Sequence, residues 1–114
     1  MQPSKEVPKK TKYLNPGSCL VVGTLALISG KWKLVVFWCI INDLNRFGLI
    51  SKEVPDISKR MLTKVLRELE ADGLIQRKVF AEVPPRVEYS LTPKGDSFMP
   101  VMNELRKWGE ENLK

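Results

Sequence analysis

The chain has 114 residues, a length that allows one domain with a modest hydrophobic core. Its 19 basic and 13 acidic residues give a formal net charge of +6, which favours an anionic partner. There is no histidine and there are only two cysteines, so a histidine-dependent triad and a structural zinc site within one chain are both excluded.

The amino-terminal segment, residues 1–18, contains four lysines and one glutamate and has little hydrophobic periodicity. Such composition predicts a flexible basic arm, which could contact an anionic partner or be a plain disordered tail. It lacks the apolar core of a signal peptide, and the chain has no run of about 18 apolar residues. We therefore expect a cytoplasmic protein, with reduced cysteines and no membrane span.

The first helix is predicted from Cys19 to about Ile28 and is closed by Ser29 and Gly30. A thiol at the start of a helix feels the positive end of the helix dipole, so its pKa falls and more of it is reactive thiolate. Cys19 is therefore a candidate effector or redox site. The alternative is a small buried hydrophobe, as many free cysteines are.

The second helix, about Lys31 to Asn42, is apolar on nearly every side and should be buried from more than one direction. We expect it to be the spine of the domain. Trp38 and Cys39 could mark a dimer surface or the wall of a ligand pocket, or could add to the burial within one small core. In such a setting Cys39 should be chemically inert.

Arg46 and Phe47 are predicted to form a short strand that pairs with a later hairpin. A third helix follows at about Gly48 to Val54, with Phe47, Ile50 and Val54 on one face. Pro55 and Asp56 make the turn into the next helix.

The fourth helix begins after Ser58, a plausible N-cap, and ends at Gly73. Its apolar face comprises Met61, Leu62, Val65, Leu66 and Leu69. Its other face carries Lys59, Arg60, Thr63, Lys64 and Arg67, with the acidic Glu68, Glu70 and Asp72 at its end. This order opposes the helix dipole, so it suits an amino terminus that enters a phosphate-lined groove of DNA. The alternative is an ordinary solvated face.

Two strands follow, predicted at Leu74–Ala81 and Val87–Thr92, and both show alternating polarity. The connecting loop contains two prolines, which stiffen it. A stiff tip ending in Arg86 suits the minor groove, where arginine is favoured. The alternative is a hairpin whose arginine stays in water.

A last helix should run to about Glu111 after a turn at Pro93–Asp96. Its apolar stripe consists of Phe98, Val101, Met102, Leu105 and Trp108. So long a stripe at the end of a small domain suggests a surface for a second copy. The alternative is a helix that folds back on its own chain.

The residues of several segments resemble the HxlR-type regulators, which are winged helix-turn-helix proteins related to the MarR group. The segments are GKWKL (Gly30–Leu34), RF (Arg46–Phe47), Ile57–Ile75 and EVPPRVEYSLT (Glu82–Thr92), within a resemblance that spans about Cys19–Trp108. It implies a homodimeric transcription factor whose first and last helices build the dimer.

The resemblance also implies a sensing cysteine at Cys19, because many members respond to oxidants or electrophiles through a cysteine near the start of the domain. In that family the cysteine is commonly followed by proline, whereas here Leu20 follows. Gly48 and Leu49 also stand where a polar residue and a glutamate are usual.

We therefore predict an α+β, mostly helical fold: a winged helix-turn-helix domain over residues 19–114, with a small antiparallel hairpin wing and a carboxy-terminal dimerisation helix. The predicted function is transcription regulation by a homodimer on a pseudo-palindromic operator, without enzymatic activity, cofactor or metal. A small-molecule or oxidant effector is possible for such a regulator. The predicted DNA contacts are Ser58, Lys59, Arg60, Thr63, Lys64, Arg67, Lys78 and Arg86. The alternatives are a protein-interaction or RNA-binding module without operator specificity and, third, a redox enzyme using Cys19.

Overall fold

The structure, a computed structural model, describes residues 20–113. The predicted arm (residues 1–18) and Cys19 lie outside the described residues. In chain order the elements are α1 (Leu20–Leu27), α2 (Lys31–Ile41), α3 (Phe47–Glu53), α4 (Lys59–Ala71), β1 (Ile75–Phe80), β2 (Arg86–Leu91), α5 (Pro93–Asp96) and α6 (Met99–Asn112). The predicted fold class is confirmed: the domain is mostly helical and carries one two-stranded antiparallel sheet.

Helix α2 is the spine of the domain, as its all-round apolar character predicts. Its buried residues are Val36, Phe37, Cys39 and Ile40. They pack with Ile50 of α3, the apolar face of α4, and Phe98 and Met102 near the carboxy terminus. At ~25 cal/mol per Å² of buried apolar surface, this shared core is the main source of stability.

Helix α2 ends in a turn that needs a left-handed residue, and Asp43 supplies it with φ 67°. The N–H of Asp43 donates to the Ile40 carbonyl and that of Leu44 to the Cys39 carbonyl, each at 3.0 Å. This is the pattern of a Schellman cap, which satisfies the last carbonyls of a helix.

The segment before α3 differs from the prediction. Arg46 and Phe47 do not form a strand: Arg46 is the N-cap of α3 and Phe47 is its first residue. A single backbone hydrogen bond, from the Tyr89 N–H to the Asn45 carbonyl at 2.8 Å, joins this segment to β2. One such bond holds the wing against the helices but is too little to make a third strand.

Helix α4 is bounded as its sequence predicts. The Ser58 hydroxyl accepts a hydrogen bond from the Met61 N–H at 3.0 Å. At the other end Gly73 takes φ 78°, and the Leu74 N–H donates to the Leu69 carbonyl. The apolar face is buried at Leu62, Val65, Leu66 and Leu69, while Met61 is half-buried.

The hairpin pairs β1 and β2 in the register Ile75↔Leu91 to Phe80↔Arg86. Its strand bounds lie within one residue of the predicted ones. Ile75 is fully buried, whereas Val79 on the same predicted side is 57% exposed. The hairpin therefore leaves the core as it proceeds, and its far half projects from the domain.

The turn after β2 is a short helix, α5, rather than an open turn. The Thr92 hydroxyl accepts from the Gly95 N–H at 3.0 Å and caps it, with Pro93 at its first position. A Cβ at Gly95 would collide with the backbone carbonyl of Leu74. The close approach of α5 to the start of β1 therefore requires glycine at this position.

Within residues 20–113, no single helix is long and apolar enough to cross a membrane. Helices α1 and α2 together reach the necessary length and composition, but they are bent by 79° where they meet.

Candidate nucleic-acid interface

Helix α4 presents an exposed basic face beginning at its first turn. Lys59, Arg60, Lys64 and Arg67 are exposed, and none of them has an ion-pair partner among residues 20–113. Their positive charge is therefore available to an outside anion. No acidic residue lies in the first turn, where one would offset the helix dipole.

A shallow concavity runs along this face. It brings together five of the six predicted contact residues on α4: Ser58, Arg60, Thr63, Lys64 and Arg67. The sixth, Lys59, is exposed at the first turn of the helix. The Thr63 hydroxyl donates to the Lys59 carbonyl at 2.9 Å, so its proton is used within the helix and its oxygen can only accept from an outside group.

Two of the three acidic residues at the end of α4 are paired with cations of other elements. Asp72 meets Lys33 of α2 at 2.6 Å, and Glu70 lies 3.7 Å from Arg77 of β1. The Lys94 ammonium also donates to the Asp72 carbonyl at 2.8 Å. These contacts offset the unfavourable placement of carboxylates at a helix carboxy terminus and fix α4 to the scaffold.

The wing lies beside α4, and Tyr89 of β2 faces the junction. A small cleft there is lined by Thr63, Arg67, Arg77 and Tyr89, among other residues. Burial raises the pKa of the Tyr89 phenol above its ordinary 10.0, with Arg77 acting in the opposite direction. The phenol is therefore protonated at neutral pH and is a hydrogen-bond donor at the junction of helix and wing.

Three residues near this interface, Arg46, Arg77 and Tyr89, are not among the predicted site residues. The sequence places Arg77 and Tyr89 on the two predicted strands. That they lie opposite each other in the hairpin and close to α4 depends on the strand register, which the sequence does not give. Arg46 was assigned to a strand, and its side chain instead reaches Glu88 of the wing at 3.7 Å.

The two predicted wing cations differ in their surroundings. Lys78 is exposed and has no ion pair among residues 20–113. Arg86 does not project freely from the tip: its guanidinium lies 4.0 Å from the centroid of the Phe80 ring and forms ion pairs with Glu82 and Glu88. The exposed apex is instead Val83, Pro84 and Pro85.

An unpartnered apolar surface lies on α1 and α6, away from α4 in sequence. Helix α1 has no buried residue, and Leu20, Val21 and Leu25 are 88%, 63% and 54% exposed. On α6 the predicted stripe divides in two. Phe98 and Met102 are buried in the core of their own chain, whereas Val101, Leu105 and Trp108 are exposed.

A groove of about 810 Å³ lies between α2 and α6 beside this surface. Its lining includes Leu34, Trp38, Cys39, Met102 and Leu105. Cys39 is buried, and burial first and Glu53 second raise the pKa of its thiol above the ordinary 9.0. Less thiolate is therefore present at neutral pH, in agreement with the expectation that Cys39 is inert.

Comparisons with known proteins give a consistent result. Residues 27–114 match the model of the HxlR-like helix-turn-helix family. The HTH-type transcriptional regulator YybR of Bacillus subtilis is 46% identical over 104 residues, which are 91% of this chain and 83% of YybR.

Two solved structures of the redox regulator HypR have the same fold. The reduced form is 46% identical and has a TM-score of 0.78, over 83% of this chain and 94% of HypR. The oxidised form is 47% identical and has a TM-score of 0.74, over 82% of this chain and 97% of HypR.

Proposed function

We propose that this chain, which belongs to the HxlR-like helix-turn-helix family, acts in the cytoplasm as a homodimer on a pseudo-palindromic operator. The chain is a DNA-binding transcriptional regulator, not an enzyme. The observation that carries this proposal is the exposed, unneutralised basic face of α4 next to a projecting hairpin. A helix amino terminus with free cations enters the major groove readily, because both the dipole and the side chains attract phosphate.

The proposed contacts follow from the chemistry of each side chain. Lys59 and Lys64 bind phosphates as point charges, and Lys78 does so from the wing. Arg60 and Arg67 are the candidates for base edges, because a guanidinium can pair with guanine through two hydrogen bonds. Ser58 and Thr63 lie on the same face, where the Thr63 methyl group could meet a thymine methyl.

The proposed dimer surface is formed by α1 and the exposed part of α6. Helix α1 is mostly apolar and has no fully buried residue, so its exposed side chains are a poor surface to leave in water. Val101, Leu105 and Trp108 extend the apolar area on α6. We assign Phe98 and Met102 the supporting role of fixing α6 to the core beneath that surface.

An oxidant effector acting through Cys19 is the finer part of this proposal. Support comes from the sequence position of Cys19 at the start of the domain and from the similarity to HypR, a redox regulator solved in both redox forms. Two Cys19 thiols, one from each protomer, would lose two hydrogens to a two-electron oxidant such as diamide and form one disulfide. That bond requires the two Cα atoms to lie within about 7 Å.

The test of DNA binding is in vitro selection of duplex DNA with the purified full chain, followed by footprinting. We expect an inverted repeat with protection on one face of the DNA. Weak, salt-labile binding without sequence preference would instead identify an interaction module and contradict the proposal.

The test of the effector uses Cys19→Ser and Cys39→Ser beside the wild type, with diamide. We expect oxidation to alter operator binding by the wild type and by Cys39→Ser, but not by Cys19→Ser. Oxidant sensitivity that survives Cys19→Ser would remove this residue from the mechanism and leave the DNA-binding proposal intact.

A further inference from the structure

The wing contains a charge network at the position where a free DNA-contacting arginine was expected. We propose that Arg86 is a positioning residue, which fixes the direction of the wing, and that the cation which the wing offers to DNA is Lys78. This inference rests on the proposed operator binding and adds to it a division of labour within the wing.

Arg86 is held on three sides by residues of the wing itself. Its guanidinium lies 4.0 Å from the Phe80 centroid, and Phe80 is its direct partner across the hairpin. Its Nη2 atom is 3.1 Å from Glu82, and its Nε is 3.5 Å from Glu88. A planar guanidinium can stack and pair with two carboxylates at once, a combination that lysine cannot reproduce.

The same network reaches the helical part of the domain. Glu88 also lies 3.7 Å from Arg46, the N-cap residue of α3. One residue earlier, the Asn45 carbonyl accepts the hydrogen bond from the Tyr89 N–H. The wing is thus joined to the start of α3 by a backbone hydrogen bond and an adjacent ion pair. Both arginines of the network, Arg46 and Arg86, contact Glu88.

Such a network matters here because the far half of the hairpin has little else to hold it. An isolated two-stranded hairpin is marginally stable in water, and single exposed ion pairs contribute little. The outer strand residues Lys78 and Val79 are exposed, so the apolar core does not fix the tip. Four charged groups joined by ion pairs, one of them stacked on the Phe80 ring, can supply the missing constraint, because ion pairs in a network reinforce each other.

The charges also show which cation of the wing is available to bind DNA. Arg46, Glu88, Arg86 and Glu82 sum to zero, so the network presents no net positive charge. If Arg86 bound a phosphate directly, it would first have to leave two carboxylates and the ring. Lys78, 5.1 Å from the Phe80 centroid, is exposed and has no carboxylate partner among residues 20–113.

Glu88→Gln separates the two roles by the sign of its effect. If Arg86 contacts DNA, removal of Glu88 frees the arginine and removes a repelling charge, so operator affinity rises. If Arg86 positions the wing, the same change loosens the hairpin, and we expect operator affinity to fall about fivefold to tenfold through lost preorganisation. Glu68→Gln, an exposed carboxylate on α4 outside the network, is the matched control and should raise affinity.

Arg86→Lys supplies the second arm of the test, because it retains the charge and loses the planar stack. We expect it to bind the operator as weakly as Arg86→Ala, with a salt dependence of binding unchanged from the wild type. Lys78→Ala should reduce that salt slope by about one. Circular dichroism of each variant checks that the domain remains folded.

A third arm requires no DNA and therefore stands apart from the proposed function. Backbone ¹⁵N order parameters at residues 81–86 should fall in Glu88→Gln and in Arg86→Lys, but not in Glu68→Gln. If the wild type selects no operator, the proposed function is refuted. The order parameters would still decide whether Arg86 positions the wing. Equal rigidity in all variants, equal or tighter binding by Glu88→Gln, or full rescue by lysine would each overturn the inference.

Discussion

The arginine side chains of this domain divide into paired and unpaired groups. Arg46, Arg77, Arg86 and Arg106 each lie within 3.7 Å of a carboxylate oxygen. Arg60 and Arg67 have no such partner within residues 20–113. An arginine without an intramolecular partner retains all five donors for an outside acceptor, which makes these two the base-reading candidates.

Substitution of the unpaired cations on α4 should distinguish residues that recognise bases from residues that bind phosphate by charge alone. We expect Arg60→Ala or Arg67→Ala to cost about 1–3 kcal/mol of binding free energy on the operator and much less on random DNA. Lys64→Ala should weaken binding to both kinds of DNA and reduce the salt slope by about one. Titrations at several salt concentrations measure both quantities, and unchanged operator affinity in all three variants would contradict the assignment of α4 as the reading helix.

At the scale of elements, the carboxy-terminal end of α4, the start of β1 and α5 form one tightly packed junction. The Thr92 hydroxyl donates to the Gly73 carbonyl while accepting from the Gly95 N–H. The Thr92 N–H donates to the Leu74 carbonyl at 3.2 Å. This junction sets where the wing leaves the end of α4, so it links local turn chemistry to the geometry of the proposed DNA binding.

Gly95→Ala should damage this junction. The added Cβ collides with the Leu74 carbonyl, and backbone cannot move aside without breaking these hydrogen bonds. We expect a loss of about 2–3 kcal/mol in the free energy of unfolding, measured by urea denaturation. Gly48→Ala is the control, because a Cβ there meets nothing within 4 Å and alanine favours a helix. Equal stability of the two variants would show that the junction can relax.

The sequence predicted the elements whose causes are local and missed those that depend on distant partners. Helix α4 was predictable because its periodicity, the Ser58 cap and Gly73 all lie within one segment. The strand at Arg46–Phe47 was wrong because strand formation depends on a partner, and a single backbone hydrogen bond, at Asn45, joins residues 45–47 to β2. The loop could be predicted from its two prolines, but the engagement of Arg86 with Phe80, Glu82 and Glu88 arises from the register of the folded hairpin.

At the scale of the whole molecule, the apolar and basic surfaces have different positions in the chain and different proposed partners. The exposed apolar residues concentrate on α1 and α6, near the two ends of the described chain, while α4, the proposed reading helix, lies between them in sequence. A dimer through the ends would leave both copies of α4 free. Two copies related by a two-fold axis would then read half-sites about 34–36 Å apart, or a multiple of that distance.

Trp108→Ala tests this arrangement because Trp108 is 60% exposed in the single chain and large enough to anchor an interface. We expect dimer stability to fall by about 2 kcal/mol or more, detected by sedimentation over a range of concentrations. Lys107→Ala, an exposed neighbour outside the stripe, should leave the dimer unchanged.

The same pair of variants connects the dimer to the operator. At concentrations too low for Trp108→Ala to dimerise, we expect this variant to lose affinity for the full inverted repeat. It should keep wild-type affinity for a single half-site, because α4 and the wing are intact in each copy. Lys107→Ala should retain the wild-type preference for the full repeat. A wild type that sediments as a monomer at micromolar concentration, or a Trp108→Ala variant that prefers the full repeat as strongly as the wild type, would refute the paired reading helices. The apolar surface on α1 and α6 would then require a different partner.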